Sequence, residues 1–328
     1  MSSITIEELK KLPAESYQII DVRDEIEISH GAVKGALACK PEEIMENPEV
    51  DKTRKLVICC SRGINSKEIA KKLEEEGLDA VSLEKGYIAW LMDAMKSSLF
   101  WKSIKNTVLY TIIVVPCSLL ISFIISIMIL PFSRKLQSVF KALYYLPGIA
   151  SGVAIAVVWL WLYDSSPSGI FNRILGIFGA ASQNWLSSSK TAMLSLILMA
   201  LLSSHGSNII IYMAALHGID NTYFEAAEID GATFLQKVRY IVFPLCKPTT
   251  LFLLVTGIIG SFQVFMNAYM MTGGGPDNNT TMIGLLIFNN AFTYGKYGLA
   301  CAQAIILALV IGLLTMLQFK VMGDDIEY

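Results

Sequence analysis

The spacing of apolar and polar positions divides the chain near residue 97. Before that point, short apolar runs alternate with amphipathic segments. Three runs rich in Val, Ile and Leu predict strands: YQIIDV (17–22), KLVICC (55–60) and DAVSLEKG (79–86). The segment SKEIAKKLEEEG predicts a helix with Ile69, Ala70 and Leu73 on one face and Gly77 as its stop. Strands that alternate with helices indicate a small parallel α/β sheet.

After residue 97 the pattern is typical of a polytopic membrane protein. Five apolar runs reach the length of about 20 residues that a helix needs to cross a bilayer. They lie near 107–130, 142–163, 191–216, 249–271 and 299–321. We therefore expect a small α/β domain at 1–96, a junction at 97–106 and an all-α membrane domain of about five spans at 107–328.

Charge is divided in the same way. Residues 1–96 carry 19 Asp/Glu and 14 Lys/Arg, whereas the other 232 residues carry only 9 and 12. The net charge of -2 excludes a basic nucleic-acid-binding protein. The six Cys show no Cys-x-x-Cys and no paired secretory spacing, which indicates reduced thiols. The first 16 residues lack the apolar core of a signal peptide.

The basic residues of the second part predict its orientation. Connections 131–141 and 217–248, together with the end of the last span, carry seven of them: Arg134, Lys135, Lys141, Lys237, Arg239, Lys247 and Lys320. Connections 164–190 and 272–298 carry only Arg173, Lys190 and Lys296. Because cytoplasmic loops are enriched in Lys and Arg, the first set is expected in the cytoplasm.

The candidate chemistry of the first part lies in CCSRGINSKEI (59–69). A strand ends at Cys60, a short loop with Arg62 and Gly63 follows, and a helix starts near Ser66. A thiol there faces loop N–H groups and a helix N-terminus, which favour a thiolate and bind anions. The alternative is a buried cysteine with a purely structural role.

Three segments of this part resemble rhodanese-like sulfurtransferases, and the match spans residues 1–95. Cys60, Gly63 and Ser66 match the active-site pattern Cys-x-x-Gly-x-x-Ser, and Gly86 and Trp90 match a closing element. The upstream segment matches through Asp21, Arg23, Glu27, Gly31, Gly35 and Ala36. The resemblance implies that Cys60 carries a persulfide cradled by the amides of residues 61–66.

Two positions depart from the rhodanese pattern. Asn65 stands where the family often has Arg, and Ala32 stands where it often has His. His30 is expected at the surface. No Arg follows Cys59 or Cys60 by six positions, which argues against the related phosphatase chemistry. Sulfur transfer by residues 1–96 is therefore an expectation, and its substrate is open.

The connection 217–248 predicts two short helices at a membrane exit. Thr222 or Asn221 can cap a first helix that runs through Glu228, and Gly231 can break it. A second helix would place Phe234, Val238 and Ile241 on one face. Pro244 and Pro248 would start the next span. The pair suits docking in a partner's groove, or else forms an interfacial helix without a partner.

The spacing in this connection resembles the Glu-Ala-Ala…Gly…Ile-x-Leu-Pro motif of ABC importer permeases, with Phe243 replacing Leu. The matching residues are Glu225, Ala226, Ala227, Gly231, Ile241 and Pro244. MTGGGPDNNTTMIGLLIFNNAF (271–292) is similar to the sugar-type branch, which includes maltose and glycerol-phosphate permeases. The resemblance covers 99–322 and implies that the connection is the coupling region that fits a cleft of an ATPase subunit.

The resemblance also implies partners. No Gly-x-x-x-x-Gly-Lys-Ser/Thr occurs, so ATP would be used by a separate ATPase subunit, and this chain would hold no cofactor and no metal. A second permease subunit, in a heterodimer, and an extracytoplasmic solute-binding protein would complete the importer in the bilayer.

Polar residues within the apolar runs are candidates for a solute path, because polar groups at mid-span are costly unless they are used. His205 and Asn208 lie in SSHGSN (203–208). Gln263 and Asn267 are four residues apart, which would place both on one helix face, suited to sugar hydroxyls. The alternative is interhelical packing through Ser203, Gly206 and Ser207.

Two functional hypotheses follow from the sequence. The first is a permease subunit for ATP-driven import of a sugar or polyol, and the second is a membrane-tethered sulfurtransferase. Five spans would leave Lys96–Lys105 outside if 217–248 is cytoplasmic, whereas the reduced thiols favour a cytoplasmic domain. Sugar-type permeases usually have six spans or more, so the first span would be absent. Either the run at 107–130 does not cross, or residues 1–96 are translocated, or the chain joins two unrelated genes. Our hypothesis is the last, a fusion whose ability to transport is in doubt.

Overall fold

The computed structural model describes residues 3–29, 32–33, 35–203 and 205–322, without the side chains of 90, 91, 93–95, 321 and 322. His30, Gly31 and the Trp90 side chain, which the sequence analysis names, lie outside the described part. The chain forms two compact units: Met1–Trp101 with Ile287–Ile306, and Lys102–Leu286 with Leu307–Tyr328.

The first unit contains a parallel sheet of five strands in the order β1-β5-β4-β2-β3. Their bounds are Ser3–Ile4 (β1), Tyr17–Asp21 (β2), Leu37–Ala38 (β3), Lys55–Cys59 (β4) and Ala80–Leu83 (β5). The three predicted strands are therefore confirmed as β2, β4 and β5. Ile20 of β2 pairs with Ile58 of β4, and both are fully buried.

Helices cover both faces of this sheet. They are Ile6–Leu9 (α1), Glu25–Ser29 (α2), Asn65–Glu75 (α3) and Gly86–Met95 (α4). Successive strand residues point to opposite faces. Ile58 therefore packs in one cluster with Ala70 and Leu73 of α3, whereas Val57 packs in another with Leu9 of α1. The predicted helix α3 and the predicted α/β fold are confirmed.

After residue 97, the regular elements of the described chain are helices. The elements are Ser98–Ile129 (α5), Arg134–Ile149 (α6), Gly152–Leu162 (α7), Ile170–Ile177 (α8), Ala192–Ser203 (α9), Gly206–His217 (α10), Asn221–Ile229 (α11), Phe234–Lys237 (α12), Phe243–Leu245 (α13), Lys247–Phe262 (α14), Met266–Thr272 (α15), Ile283–Phe288 (α16) and Tyr297–Met322 (α17). Two π-helical turns, Val238–Val242 and Asn289–Thr293, interrupt the α-helical geometry.

Two helices in the described residues are long and apolar enough to cross a membrane alone, at Ser98–Ile129 and Tyr297–Lys320. Three further candidates are bent pairs: α6 with α7 at 93°, α9 with α10 at 45°, and α12–α13 with α14 at 63°. The count of spans reaches five if each pair crosses once. Residues 98–106 of the predicted junction form the first turns of α5.

The sharpest bend follows Pro147 and Gly148. Proline removes one helical N–H donor, and Ala150 then takes an extended conformation with φ −66° and ψ 148°. A hydropathy pattern carries no information about such a bend, because both halves are apolar. The predicted span at 142–163 is therefore two helices and not one.

The second unit has two distinguishable ends. At one end, Ile129 of α5 lies in a buried cluster with Leu216 of α10 and with Val242 and Cys246. At the other, Lys102 Nζ donates to the Asp277 carbonyl at 2.5 Å. Asn106 Nδ2 donates to the Asn278 carbonyl at 3.0 Å, and Ser189 Oγ donates to the Asp277 carboxylate at 2.8 Å. About 40 Å of helix separates Lys102 from Ile129 at 1.5 Å per residue.

Candidate functional sites

Cys60 follows the last residue of β4, and its side chain is held by the loop that leads into α3. The Cys60 Sγ accepts hydrogen bonds from the backbone N–H of Gly63 at 3.1 Å and of Ser66 at 3.4 Å. Ser66 Oγ lies 3.2 Å from the same sulfur and 2.8 Å from Ser82 Oγ. The strand end, loop and helix start thus converge on one sulfur atom.

This environment makes Cys60 chemically different from its neighbour Cys59. Burial raises the pKa of the Cys60 thiol, but hydrogen bonds from the Ser66 side chain and from the amides of residues 66, 62 and 63 outweigh it, so the pKa lies below its ordinary value. Burial raises the pKa of Cys59 to about 12. Cys60 is therefore the thiolate candidate, and Cys59 stays protonated at neutral pH.

Two glycines let the loop approach the turn between β5 and α4. Gly63 has φ +79°, and a Cβ there would lie 2.7 Å from the Lys85 backbone nitrogen. Gly86 has φ +55°, and its Cβ would lie 1.9 Å from the Cys60 carbonyl oxygen. Neither position accepts another residue without a backbone shift. Gly63 therefore acts through its backbone, as a donor and as a turn.

The Cys60 sulfur faces a cleft of about 330 Å³ whose lining includes Arg62, Asn65 and Glu27. Of the predicted site residues, Gly63 and Ser66 contact the sulfur, whereas the Arg62 side chain is exposed at the cleft. In the described part of the chain, no group of three His, Cys, Asp or Glu side chains could hold a metal ion.

The connection after α10 forms a compact turn between two helices. Asp220 caps α11 by accepting the Thr222 N–H at 2.9 Å, so the predicted cap at Thr222 or Asn221 is one or two residues too late. Gly231 has φ +71° and ends the helix as predicted. The Gly231 N–H bonds to the Glu228 carbonyl, and the next N–H bonds to the Ala227 carbonyl, which is the glycine C-cap pattern.

The second predicted helix is present, but its buried face differs. The π turn at Val238–Val242 adds a residue to one helical turn and shifts the face. Val242 is buried beside half-buried Val238, whereas Phe234 is 60% exposed. Of the three residues predicted for one face, Val238 and Ile241 are thus half-buried and Phe234 is exposed.

Most of this connection is exposed. Glu225, Ala226 and Pro244 are exposed, and Ala227 and Ile241 are half-buried. The Lys237 ammonium bonds to the Glu228 carboxylate at 2.7 Å and holds α11 against α12. Large apolar side chains also face outward, namely Tyr223, Ile229, Phe234, Leu235, Tyr240 and Phe243.

A cavity of about 450 Å³ lies beside three helix breaks, which are those between α6 and α7, between α9 and α10, and between α14 and α15. Its wall includes Pro147 and Gly152 from the α6–α7 bend, Ser203 and Asn208 from α9–α10, and Asn267 from α15. Every side chain in the described part of its wall is uncharged. The polar ones are Tyr110, Ser118, Ser203, Asn208, Ser261 and Asn267.

The four predicted solute-path residues do not all line the cavity. Asn208 and Asn267 line the cavity, and Gln263 does not. Gln263 ends α14, and α15 starts only at Met266, so the expectation that Gln263 and Asn267 share one helix face is wrong. The residues between them leave the helical conformation, which removes the regular i, i+4 relation.

His205 is buried in contacts with α5 and not on the cavity wall. Its Nδ1 lies 3.3 Å from Ser118 Oγ and 3.1 Å from Ser122 Oγ, and its Nε2 contacts the Leu201 carbonyl. A Cβ on Gly206 would lie 2.5 Å from the Tyr145 Cα. These contacts match the packing alternative for this segment. Ser204 lies outside the described residues.

Comparison with known proteins decides the assignment of the helical part. Residues 86–327 match the family described as binding-protein-dependent transport system inner membrane component. The chain belongs to this family. Residues 5–93 of the permease match the rhodanese-like domain, as the sheet and the Cys60 loop indicate. The permease is therefore a membrane protein with an N-terminal rhodanese-like domain.

Individual relatives cover most of the permease. It is 32% identical to a probable ABC transporter permease protein, YesP of Bacillus subtilis (strain 168), over 70% of this chain and 74% of that protein. It is 29% identical to the lactose transport system permease protein LacF of Rhizobium radiobacter, over 67% and 75%.

A solved structure shares the fold. It is the crystal structure of a bacterial ABC transporter involved in the import of the acidic polysaccharide alginate, with a TM-score of 0.64 and 23% identity. The match covers 72% of this chain and 84% of that one. The predicted fold, a small α/β domain followed by an importer-type helical domain, is confirmed.

Proposed function

We propose that the permease carries a neutral saccharide or polyol, as one subunit of an ATP-driven importer. The observation that carries this proposal is the cavity at the three helix breaks, because hydroxyl and amide groups, and no charged groups, line the part of its wall that the structure describes. Sugar hydroxyls donate and accept hydrogen bonds, and the Asn208 and Asn267 amides can do both. Several relatives bear names of sugar transport systems, for lactose and for arabinooligosaccharides.

The absence of charge in the cavity wall favours a neutral cargo. A carboxylated sugar would lose its hydration there without gaining a cation, which is costly in a membrane interior. The volume of about 450 Å³ lies in the range of small-molecule sites. The cavity thus suits one short neutral saccharide.

Uptake measurements test the cargo proposal. We expect Asn208→Ala and Asn267→Ala each to reduce uptake of the cognate sugar about tenfold, the effect of one lost buried hydrogen bond. Gln263→Ala is the matched control, since this exposed amide lies at the same break but not on the cavity wall. Unchanged uptake in both Asn variants would contradict the proposal. A wild-type chain that transports no neutral sugar with its partners would favour the fusion without transport.

The connection from Asp220 to Leu245 is proposed to couple the permease to a separate ATPase subunit. Its outward-facing apolar residues, such as Ile229 at 88% exposure, suit a groove on a partner. ATP would be bound and hydrolysed by that partner. A second permease subunit and an extracytoplasmic solute-binding protein would complete the assembly.

The connection and the residues before α5 favour different orientations of the permease in the membrane. If it lies in the cytoplasm, then Lys102, at the opposite end of the second unit, lies on the extracytoplasmic side, and residues 1–96 would follow it. The reduced thiols of residues 1–96 and the nearby Lys96 and Lys105 favour the cytoplasm instead.

For the rhodanese-like domain we propose sulfur transfer through a persulfide on Cys60. The support is the low pKa of its thiol and the amides of Gly63 and Ser66 aimed at the sulfur. Cys60→Ser should abolish sulfur transfer, whereas Cys59→Ala, which removes the adjacent buried thiol, should retain it. Activity that persists in Cys60→Ser would remove Cys60 from this role.

A further inference from the structure

The charges around the Cys60 cleft indicate which sulfur donor it accepts. We propose that Cys60 takes sulfur from the persulfide of an uncharged thiol and disfavours a dianionic donor such as thiosulfate. This inference rests on the sulfur transfer proposed above for the same residue.

Two carboxylates stand at the entrance. Ser61 Oγ donates to the Glu27 carboxylate, with distances of 2.9 and 3.1 Å to its two oxygens, and Ser61 is the residue next to Cys60. Asp24 lines the same cleft, and both acidic side chains are exposed. A donor that approaches the sulfur therefore passes two negative charges.

The cations nearby do not balance these carboxylates. The Arg23 guanidinium is buried and committed to Asp21, with contacts of 2.6 and 2.9 Å to its two oxygens. Its Cζ also lies 3.8 Å from the centre of the Tyr87 ring. Among the described lining residues, Arg62 is the remaining cation, and its side chain is exposed. Asn65, which lines the same cleft, carries no charge.

The rest of the lining is apolar. Val22, Pro41, Ile64 and Ile69 contribute to the cleft, and Ile64 is 65% exposed at its rim. Such a surface contacts an uncharged organic group favourably, since it removes apolar area from water. It offers little to a small, strongly hydrated dianion.

The transfer step is balanced without a further oxidant or reductant. The Cys60 thiolate attacks the outer sulfur of the donor R–S–SH. A new sulfur–sulfur bond forms on Cys60, the donor's sulfur–sulfur bond breaks, and its electron pair leaves with R–S⁻. The new Cys60 persulfide carries the donor's proton, and R–S⁻ or water then takes it. The amides of Gly63 and Ser66 stabilise the persulfide anion that results.

The test compares two donors on the full-length protein purified in detergent. The probes are the persulfide of 2-mercaptoethanol, which is an uncharged thiol, and thiosulfate. The rate of Cys60 persulfide formation is followed by mass spectrometry at low ionic strength. We expect faster loading from the 2-mercaptoethanol persulfide, which reacts in its protonated R–S–SH form.

Removal of the two carboxylate charges at the entrance should change the rate of loading from thiosulfate and not the rate from the persulfide. Glu27→Gln combined with Asp24→Asn should raise loading from thiosulfate about tenfold, because two repulsions on a dianion are removed. Loading from the 2-mercaptoethanol persulfide should stay within about twofold, because its reactive R–S–SH form is neutral. Asp79→Asn is the matched control, since Asp79 is an exposed carboxylate of the same domain. It pairs with Lys55, which starts β4, whereas Cys59 ends that strand four residues later.

The outcomes separate this inference from the function on which it rests. Faster loading from thiosulfate, with no response to the double variant, would overturn the donor inference and leave sulfur transfer intact. Failure of both donors to form a persulfide on Cys60 would overturn sulfur transfer itself.

Discussion

At the scale of single residues, one step along the chain separates an inert thiol from a reactive one. Cys59 is the last residue of β4 and is packed in the core, whereas Cys60 lies in the loop among donors. The sequence predicted the contacts of Gly63 and Ser66 because they depend on six consecutive residues. It could not predict the surroundings of His205 or Gln263, because these depend on where helices break.

The pKa of Cys60 leads to a prediction about its pH dependence. Because its pKa is lowered, the Cys60 thiol stays ionised to lower pH than an ordinary thiol. Its alkylation by iodoacetamide should therefore slow only when the pH falls through that lowered pKa. Ser66→Ala removes the hydroxyl and should move the alkylation profile to higher pH, with a several-fold lower rate at pH 6.

Peptide mass spectrometry of the alkylated chain gives the measurement. Ser16→Ala, at an exposed serine of the same domain, is the control and should leave the profile unchanged. A profile in Ser66→Ala identical to wild type would mean that the hydroxyl does not set the Cys60 pKa.

At the scale of elements, helix breaks and one π turn account for the differences from the sequence expectations. Apolar runs predicted where the helices lie, because burial in lipid requires continuous apolar surface. The same runs could not predict the 93° bend after Ile149 or the shifted face after Lys237. Both depend on backbone geometry and not on hydrophobicity.

The turn at Gly231 allows a test of coupling. Gly231→Ala places a Cβ in the left-handed region, at a cost of about 1 kcal/mol, and should reorient α11 against α12. We expect reduced uptake and lower ATPase stimulation with unchanged membrane insertion.

Gly179→Ala is the matched control for this change. Gly179 has a similar φ of +73° and the same open surroundings, but it follows α8. Equal loss of uptake in both variants would indicate general backbone strain and would contradict a coupling role for Gly231.

At the scale of the whole molecule, the second unit is organised along α5. Polar contacts tie its first turns to residues 277–281, and its last turns pack against Val242. The sequence predicted which connections carry the basic residues and are expected in the cytoplasm. It could not predict which residues the two ends of α5 contact, because those residues are far away in the sequence.

This organisation predicts a labelling pattern. In a variant without other cysteines, Lys102→Cys should react with an impermeant maleimide in intact cells, whereas Arg239→Cys should react only after permeabilisation. The reason is that the two positions lie at opposite ends of the unit. Labelling of both only after permeabilisation would mean that α5 or one of the bent pairs between the two positions does not cross, and that residues 1–96 are cytoplasmic.

The three breaks around the cavity also determine what must fill it between transport cycles. A broken helix exposes backbone N–H and C=O groups, and lipid cannot satisfy them. An empty cavity in the membrane is therefore expected to hold water on these groups. Cargo entry then exchanges waters for sugar hydroxyls. The affinity of the cavity for its cargo should therefore depend on how well each hydroxyl replaces a water, and little on the apolar area that the cargo buries.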